Sequence, residues 1–203
     1  MSDFTDLMRR RHTVRSFDQR PVEDEKLLAV LEAARWAPTA VNAQPQRILV
    51  LREPDSLDKV REFCTYGREG SNVSLAKDFD LPGTKHISLY YGAPVVLVVC
   101  YDRTACWSHP ESGETSGPID ATIVATHMML EATAQGLGSA WISYFDKDKA
   151  RALLDIPADW EVCSMLYLGY PSAGERPAHA SGTRCPLADT CFFDRVPTTD
   201  RVV

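Results

Sequence analysis

Two periodicities run through the chain and divide it into elements. Over residues 2 to 10, Phe4, Leu7 and Met8 fall at the i, i+3, i+4 spacing of a first helix, which Ser2 or Asp3 can cap. Pro21 and the acids Glu23, Asp24 and Glu25 mark the start of a second helix, in which Leu27, Leu28, Leu31 and Ala34 form the expected buried stripe and which Pro38 ends. Residues 47–51 read as a short strand, and 55–64 as a helix with Leu57, Val60 and Cys64 inward. The run from Pro94 to Tyr101 is continuously apolar and rich in β-branched residues, the pattern of a central strand buried on both faces. From Ile119 to Gln135 a helix is apolar nearly all round, with Asp120 and Glu131 its only charges, so it is expected to be buried on most sides, in the core or against another subunit. His127 on it reads as a hydrogen-bonded core residue. Gly136 suits a left-handed helix stop, and Gly138 leaves room for a planar group beside the strand that follows to Ser143. A helix over 146–154 and a strand over 161–171 complete a chain in which strands alternate with helices.

Two stretches lack a period. Residues 65–90 contain Gly67, Gly70, Pro82 and Gly83, and read as irregular structure over a cleft, a candidate lid and substrate selector. Residues 172–203 read as a C-terminal extension whose last stretch is either disordered or wrapped on a partner. With 203 residues and no internal repeat or linker, the expectation is one domain over 1–203. The acidic start and the lack of a membrane-length apolar run point to a cytoplasmic protein without a membrane partner. Six cysteines without a Cys-x-x-Cys pair argue against a thioredoxin motif or structural zinc, and Cys106 with His109 lacks a convincing second pair of metal ligands. The net charge of -6 and a pI of about 5.4 disfavour a nucleic-acid surface.

Against that negative balance stand Arg9, Arg10, Arg11, His12 and Arg15, all within seven residues. Like charges so close repel unless an anion sits among them, and Arg forks, with His, Thr and Ser donors, suit a phosphate and the polar edge of a heteroaromatic ring. The competing account is a solvated helix end favoured by the helix dipole. It covers Arg9 and Arg10 better than Arg11, Thr13 and Arg15, which lie beyond the helix. One helix later, residues 37–45 form an uncharged loop in which Asn42 and Gln44 each offer a donor and an acceptor, equipment for an imide-like edge, or simply for closing the loop's own turns.

The run Arg10-Arg11-His12-Thr13-Val14-Arg15-Ser16-Phe17, then Ala37-Pro38-Thr39-Ala40-x-Asn42-x-Gln44-Pro45, resembles the opening of the FMN-dependent nitroreductase family. The later Gly136-Leu137-Gly138-x-x-Trp141, Leu168-Gly169-Tyr170-Pro171 and Arg184-Cys185-Pro186-Leu187 are similar to later segments of that family, so the resemblance spans nearly the whole chain. It implies an α+β fold, with a nitroreductase-like central mixed β-sheet flanked by helices, in a domain-entwined homodimer with FMN at each of two interfaces. Arg11, His12, Thr13 and Arg15, joined by Arg184, would then hold the phosphate, ribityl and pyrimidine end. Pro38, Thr39, Asn42 and Gln44 would reach the flavin of the other subunit, and Trp141, Ile142 and Ser143 would line the ring. No residue is expected to act as acid or base, because flavin N5 carries the hydride. The implied activity is a ping-pong oxidoreductase cycle, in which NAD(P)H as co-substrate reduces FMN and a nitroaromatic, quinone or similar electron-poor acceptor reoxidises it.

This chain departs from the family pattern at Gln46, where many members have Trp, and at Ala40, a frequent Ser; Lys85 is the only counterpart of a Lys or Asn often found before the central strand. The stretch 141–146 is also similar to the branch that cleaves FMN to make dimethylbenzimidazole. A non-catalytic FMN-binding or redox-sensing protein, and RNA binding by the bare basic cluster, are the alternatives outside that chemistry.

Overall fold

A computed structural model describes residues 2–67, 86–175 and 184–195. Most of the candidate lid, Lys85 and the rest of the C-terminal extension lie outside the described residues. Helix α1 (Asp3–Arg10) starts where expected, with Ser2 Oγ accepting the Thr5 N–H at 3.2 Å. None of its residues is buried within the chain, so the Phe4 and Met8 face is open. Helix α2 (Asp24–Arg35) buries Leu27, Val30 and Ala34. Leu28, expected in that stripe, is 64% exposed. With apolar residues at 27, 28, 30 and 31, two overlapping helical stripes fit the sequence equally, and the sheet selects the one centred on Val30.

The main sheet has the strand order β1 (Gln46–Leu51), β4 (Val95–Asp102), β6 (Trp160–Gly169), β5 (Gly138–Ile142), and these neighbours pair antiparallel. A parallel component comes from the basic segment, where Thr13 bridges Ser139 of β5. Strand β4 is central as its sequence demanded. Val96, Val98 and Cys100 face one core with Val60 and Phe63 of α3 (Pro54–Phe63). Val95, Leu97 and Val99 face a second core with α2 and α4 (Gly117–Ala134). Two-sided burial explains the unbroken apolar run. Helix α5 (Lys147–Leu153), capped by Asp146 through the Lys149 N–H at 2.9 Å, lies on the α3 side. Strands β2 (Thr65–Gly67) and β3 (His86–Ser88) pair with each other, so the stretch expected to be irregular begins and ends as a two-stranded ribbon.

Helix α4 starts two residues before its expected first position, and buries Gly117, Asp120, Ala121, Val124, Ala125, Met128 and Ala132. Its opposite stripe, Ile119, Thr122, Ile123, Thr126, Met129, Leu130 and Thr133, is exposed or half-buried. Gly136 ends the turn after it at φ +74°, the left-handed stop expected of it. Gly138 differs from expectation, because the neighbour filling its Cβ direction is Val14: a Cβ there would stand 2.7 Å from Val14 Cγ2. The close packing is of chain on chain, and it seats the basic segment on β5. Gly138→Ala is expected to destabilise the protein by about 1–3 kcal/mol through overpacking, read as a lower unfolding midpoint. An unchanged midpoint would show that Val14 yields.

Candidate functional site

The basic segment is tied down at several points. The Arg11 N–H donates to Leu7 O at 3.1 Å and the Val14 N–H to Ser139 O at 2.9 Å. Ser16 O accepts the Ser172 N–H at 3.0 Å, and the Arg15 N–H donates to Glu175 Oε1 at 2.9 Å. His12 Nδ1 lies 3.1 Å from Arg10 O, a contact that needs the proton on Nδ1 and leaves Nε2 for another partner. Val14 and Phe17 are the buried anchors that turn Arg11, His12 and Thr13 into a half-buried strip and leave Arg15 exposed.

Arg184 reaches this strip from the other end of the chain. Burial first, and then the charge of Arg184, pulls the Arg11 guanidinium below its ordinary pKa. Two guanidiniums are therefore close enough to repel, and among the described residues no carboxylate lies within ion-pair distance of Arg11, Arg15 or Arg184. A dianion between them would reverse the sign of that interaction.

Trp141 and Ser143 stand at the far end of β5, with the Trp141 Nε1–H donating to Ser143 Oγ at 2.8 Å. That bond consumes the indole donor and leaves the Ser143 O–H free to donate. Ile142 is different, since its side chain is buried in the core with Val14 and Met165, so only its backbone can face a ligand.

The loop with Pro38, Thr39, Asn42 and Gln44 is elsewhere. It packs as a tight turn in which the Asn42 N–H donates to Thr39 O at 3.0 Å and the Gln44 N–H to Thr39 Oγ1 at 3.1 Å. Val41, Asn42 and Gln44 all take positive φ, at 47°, 57° and 49°. Left-handed conformations cost about 1–3 kcal/mol each in non-glycine residues, with the β-branched Val41 the worst placed. Val41 is nonetheless 76% exposed. Pro38, Asn42 and Gln44 are exposed as well. Nearby, Gln46 buries its Oε1 without a hydrogen-bond partner among the described residues.

Sequence reasoning missed Asp120, which is buried, accepts the Ala40 N–H at 3.0 Å and the Ser116 hydroxyl at 2.7 Å, and so holds this turn to the start of α4. A charge in the first turn of a helix otherwise almost free of charge was the available signal. It missed Glu175 too, which follows the recognisable Leu-Gly-Tyr-Pro stretch without a pattern of its own.

The two groups sit at opposite ends of α4. From Asp120 to Ala134 the helix rises about 21 Å, and from β1 to β5 the sheet spans about 14 Å. Within one chain, the arginine strip and the strained turn stand apart.

The sequence model of the Nitroreductase family matches residues 8–170. The chain belongs to the Nitroreductase family. A nitroreductase family protein of Clostridium difficile 630 superimposes with a TM-score of 0.78 at 33% identity, covering 97% of this chain and 100% of that one. A protein of Archaeoglobus fulgidus provisionally named NADH dehydrogenase/NAD(P)H nitroreductase is 27% identical over 175 residues, 84% of this chain and 87% of its own length. The crystal structure of a provisionally named nitroreductase from Desulfovibrio desulfuricans, in complex with FMN, matches with a TM-score of 0.69 at 26% identity, covering 97% of this chain and 99% of that one.

The cysteines offer this site no obvious nucleophile. Burial pushes the Cys64 thiol up to about 11 and the Cys100 thiol up to about 12. Cys106 donates to Asp102 O at 3.2 Å, while His109 Nδ1 accepts the Glu111 and Ser112 N–H groups within its own turn. Thiol labelling of the native protein at pH 8 is expected to modify the exposed Cys185 and Cys191 first, with Cys64 and Cys100 slower by a factor of about 100 or more. Because those two thiols ionise at lower pH in the unfolded chain, their contribution to stability falls as the pH rises from about 9, through about 11 for Cys64 and about 12 for Cys100. Equal labelling rates for all six cysteines would contradict both statements.

Proposed function

We propose that this chain is an FMN-dependent oxidoreductase that takes hydride from NAD(P)H and passes it to nitroaromatic, quinone or similar electron-poor acceptors by a ping-pong cycle, as a homodimer with FMN at each interface. The observation that carries this reading is that the charge of the exposed Arg184 acts on the half-buried Arg11, beside further donors, and that among the described residues no carboxylate pairs with either guanidinium. Such an arrangement fits a phosphate monoester, which brings up to two negative charges and three acceptor oxygens to one spot.

In that reading Arg11 and Arg184 grip the phosphate, and the Thr13 hydroxyl, His12 Nε2 and Arg15 complete the polar wall along the nucleotide. Ser143 directs its hydroxyl, and residues 141–143 their backbone, towards the ring. The amides of Asn42 and Gln44 suit the ring's polar edge, with Pro38 and Thr39 beside them. They lie too far along α4 to reach the same FMN as Arg11, so they serve the site of the other subunit. The open apolar stripe of α4 and the open Phe4 and Met8 face of α1 are where a second copy would bury surface. Bound FMN supplies the hydride chemistry itself, and the chain's own groups bind, orient and exclude water.

The test is the absorption spectrum of purified protein, followed anaerobically by NADH and then NADPH. Flavin bands that bleach with either donor and return with a nitroaromatic or quinone are expected. Arg11→Ala and Arg184→Ala are each expected to weaken FMN binding by about 10- to 100-fold, the loss of one charge-assisted contact. A protein that stays colourless after FMN is offered would overturn the reading. Aerobic loss of the chromophore without an added acceptor would favour flavin cleavage instead.

A further inference from the structure

We infer that Asp120 is a positioning residue for the flavin site: its carboxylate holds the strained 39–44 turn in the shape that meets the partner subunit's flavin. This rests on the FMN reading above and adds to it a residue that touches no cofactor.

Asp120 is 2% exposed. Its two oxygens divide the work: Oδ1 accepts the Ala40 N–H at 3.0 Å, and Oδ2 accepts the Ser116 hydroxyl at 2.7 Å. Its own N–H donates to Ser116 O at 2.8 Å, so the carboxylate is fixed to the first turn of α4. No lysine or arginine pairs with it among the described residues. The negative charge is held by two neutral donors and by the N-terminal end of the helix dipole. A buried charge is a costly way to tie down a loop, and it is retained where a firm, directional contact is needed.

What it ties down is the turn in which Val41, Asn42 and Gln44 are all left-handed. The hydrogen bonds inside that turn, from the Asn42, Ala43 and Gln44 N–H groups to Thr39 and Ala40, shape it but do not orient it. At its trailing end, Arg47 Nη1 donates to Gln44 O at 3.2 Å and the Asp102 N–H to Pro45 O at 2.8 Å, which fixes that end to the sheet. Asp120 is the corresponding anchor at the leading end, 80 residues away in sequence. With both ends held, the turn cannot relax its backbone by swinging away. Without Asp120, the nearest hold on the leading end is the buried Ala37 just past the end of α2, and the segment from Pro38 to Asn42 gains freedom to shift.

Three variants test this: Asp120→Ala, the isosteric Asp120→Asn, and Ser116→Ala, which removes the support of Oδ2 and leaves the Ala40 contact in place. Amide hydrogen exchange of the FMN-free protein is expected to quicken by about 10-fold or more in peptides covering 39–44 for Asp120→Ala, and less for Ser116→Ala, with β4 unchanged. FMN affinity is expected to fall by about 10-fold. At saturating FMN, the visible circular dichroism of the variant is expected to stay different from wild type, a signature that a general brace for α4 would not alter. Wild-type exchange over 39–44, or a wild-type dichroism spectrum once FMN is saturating, overturns the inference, as does a lowered melting temperature with both of those unchanged. If Asp120→Ala does not fold, Ala40→Pro, which removes the N–H that Asp120 accepts and leaves α4 untouched, carries the same measurements with the same expected and contradicting results. A wild-type protein that takes up no FMN overturns the flavin reading and this inference together; FMN-binding wild type with indifferent variants overturns this inference alone.

Discussion

At one end of α4 the Asp120 carboxylate holds the 39–44 turn through the Ala40 N–H, and just past the other end Ser139 holds the arginine strip through the Val14 N–H. The helix between them is a rigid spacer, buried along one stripe by both central strands and α2. Everything proposed for the site follows from that spacing. Two groups of candidate ligand residues stand at opposite ends of one helix about 21 Å long, and the helix keeps an apolar stripe exposed or half-buried along its length. A two-fold copy packed on that stripe answers both facts at once, because reversing α4 against itself brings the strained turn of one copy towards the arginines of the other.

The electrostatics point the same way. Several arginines among the described residues sit in ordinary exposed pairs, such as Arg35 with Glu32 at 2.6 Å or Arg61 with Asp58 at 2.6 Å, which contribute little to stability. The arginine strip is different, because Arg11 is partly desolvated and repelled by Arg184. Folding alone gains nothing from that contact. The fold tolerates it because Val14, seated against Gly138, and Phe17, bridged to Pro171, anchor the strip from beneath. The 39–44 turn shows the same division, with strain in Val41, Asn42 and Gln44 offset by contacts from Asp120, Arg47 and Asp102.

How much of this was legible in the sequence depended on the range of the interaction. Strand β4, the cap at Ser2 and the Gly136 stop are local, and their residues announce them. The arginine cluster was visible because its charge opposes the chain's own. Choices made by packing were not visible: Leu28 against Val30 on α2 is decided by where the sheet lies, and the space beside Gly138 belongs to Val14 rather than to a planar group. Ile142 was named with Trp141 and Ser143 as a residue lining the ring, yet strand alternation turns its side chain into the core. Asp120 and Glu175 act on backbone N–H groups 80 and 160 residues away, contacts that no local pattern records.

The central claim, that each site is built from the arginine strip of one chain and the strained turn of another, is tested most directly by subunit mixing. One protein would carry Arg11→Ala with Arg184→Ala, and the other Thr39→Ala with Asn42→Ala, each impaired in FMN binding by itself. After the two are unfolded and refolded together, random pairing makes half of the dimers mixed, each with one intact site, so about a quarter of all sites are expected to regain tight FMN binding. If both groups served a flavin within the same chain, mixing would restore nothing above the two parents measured separately.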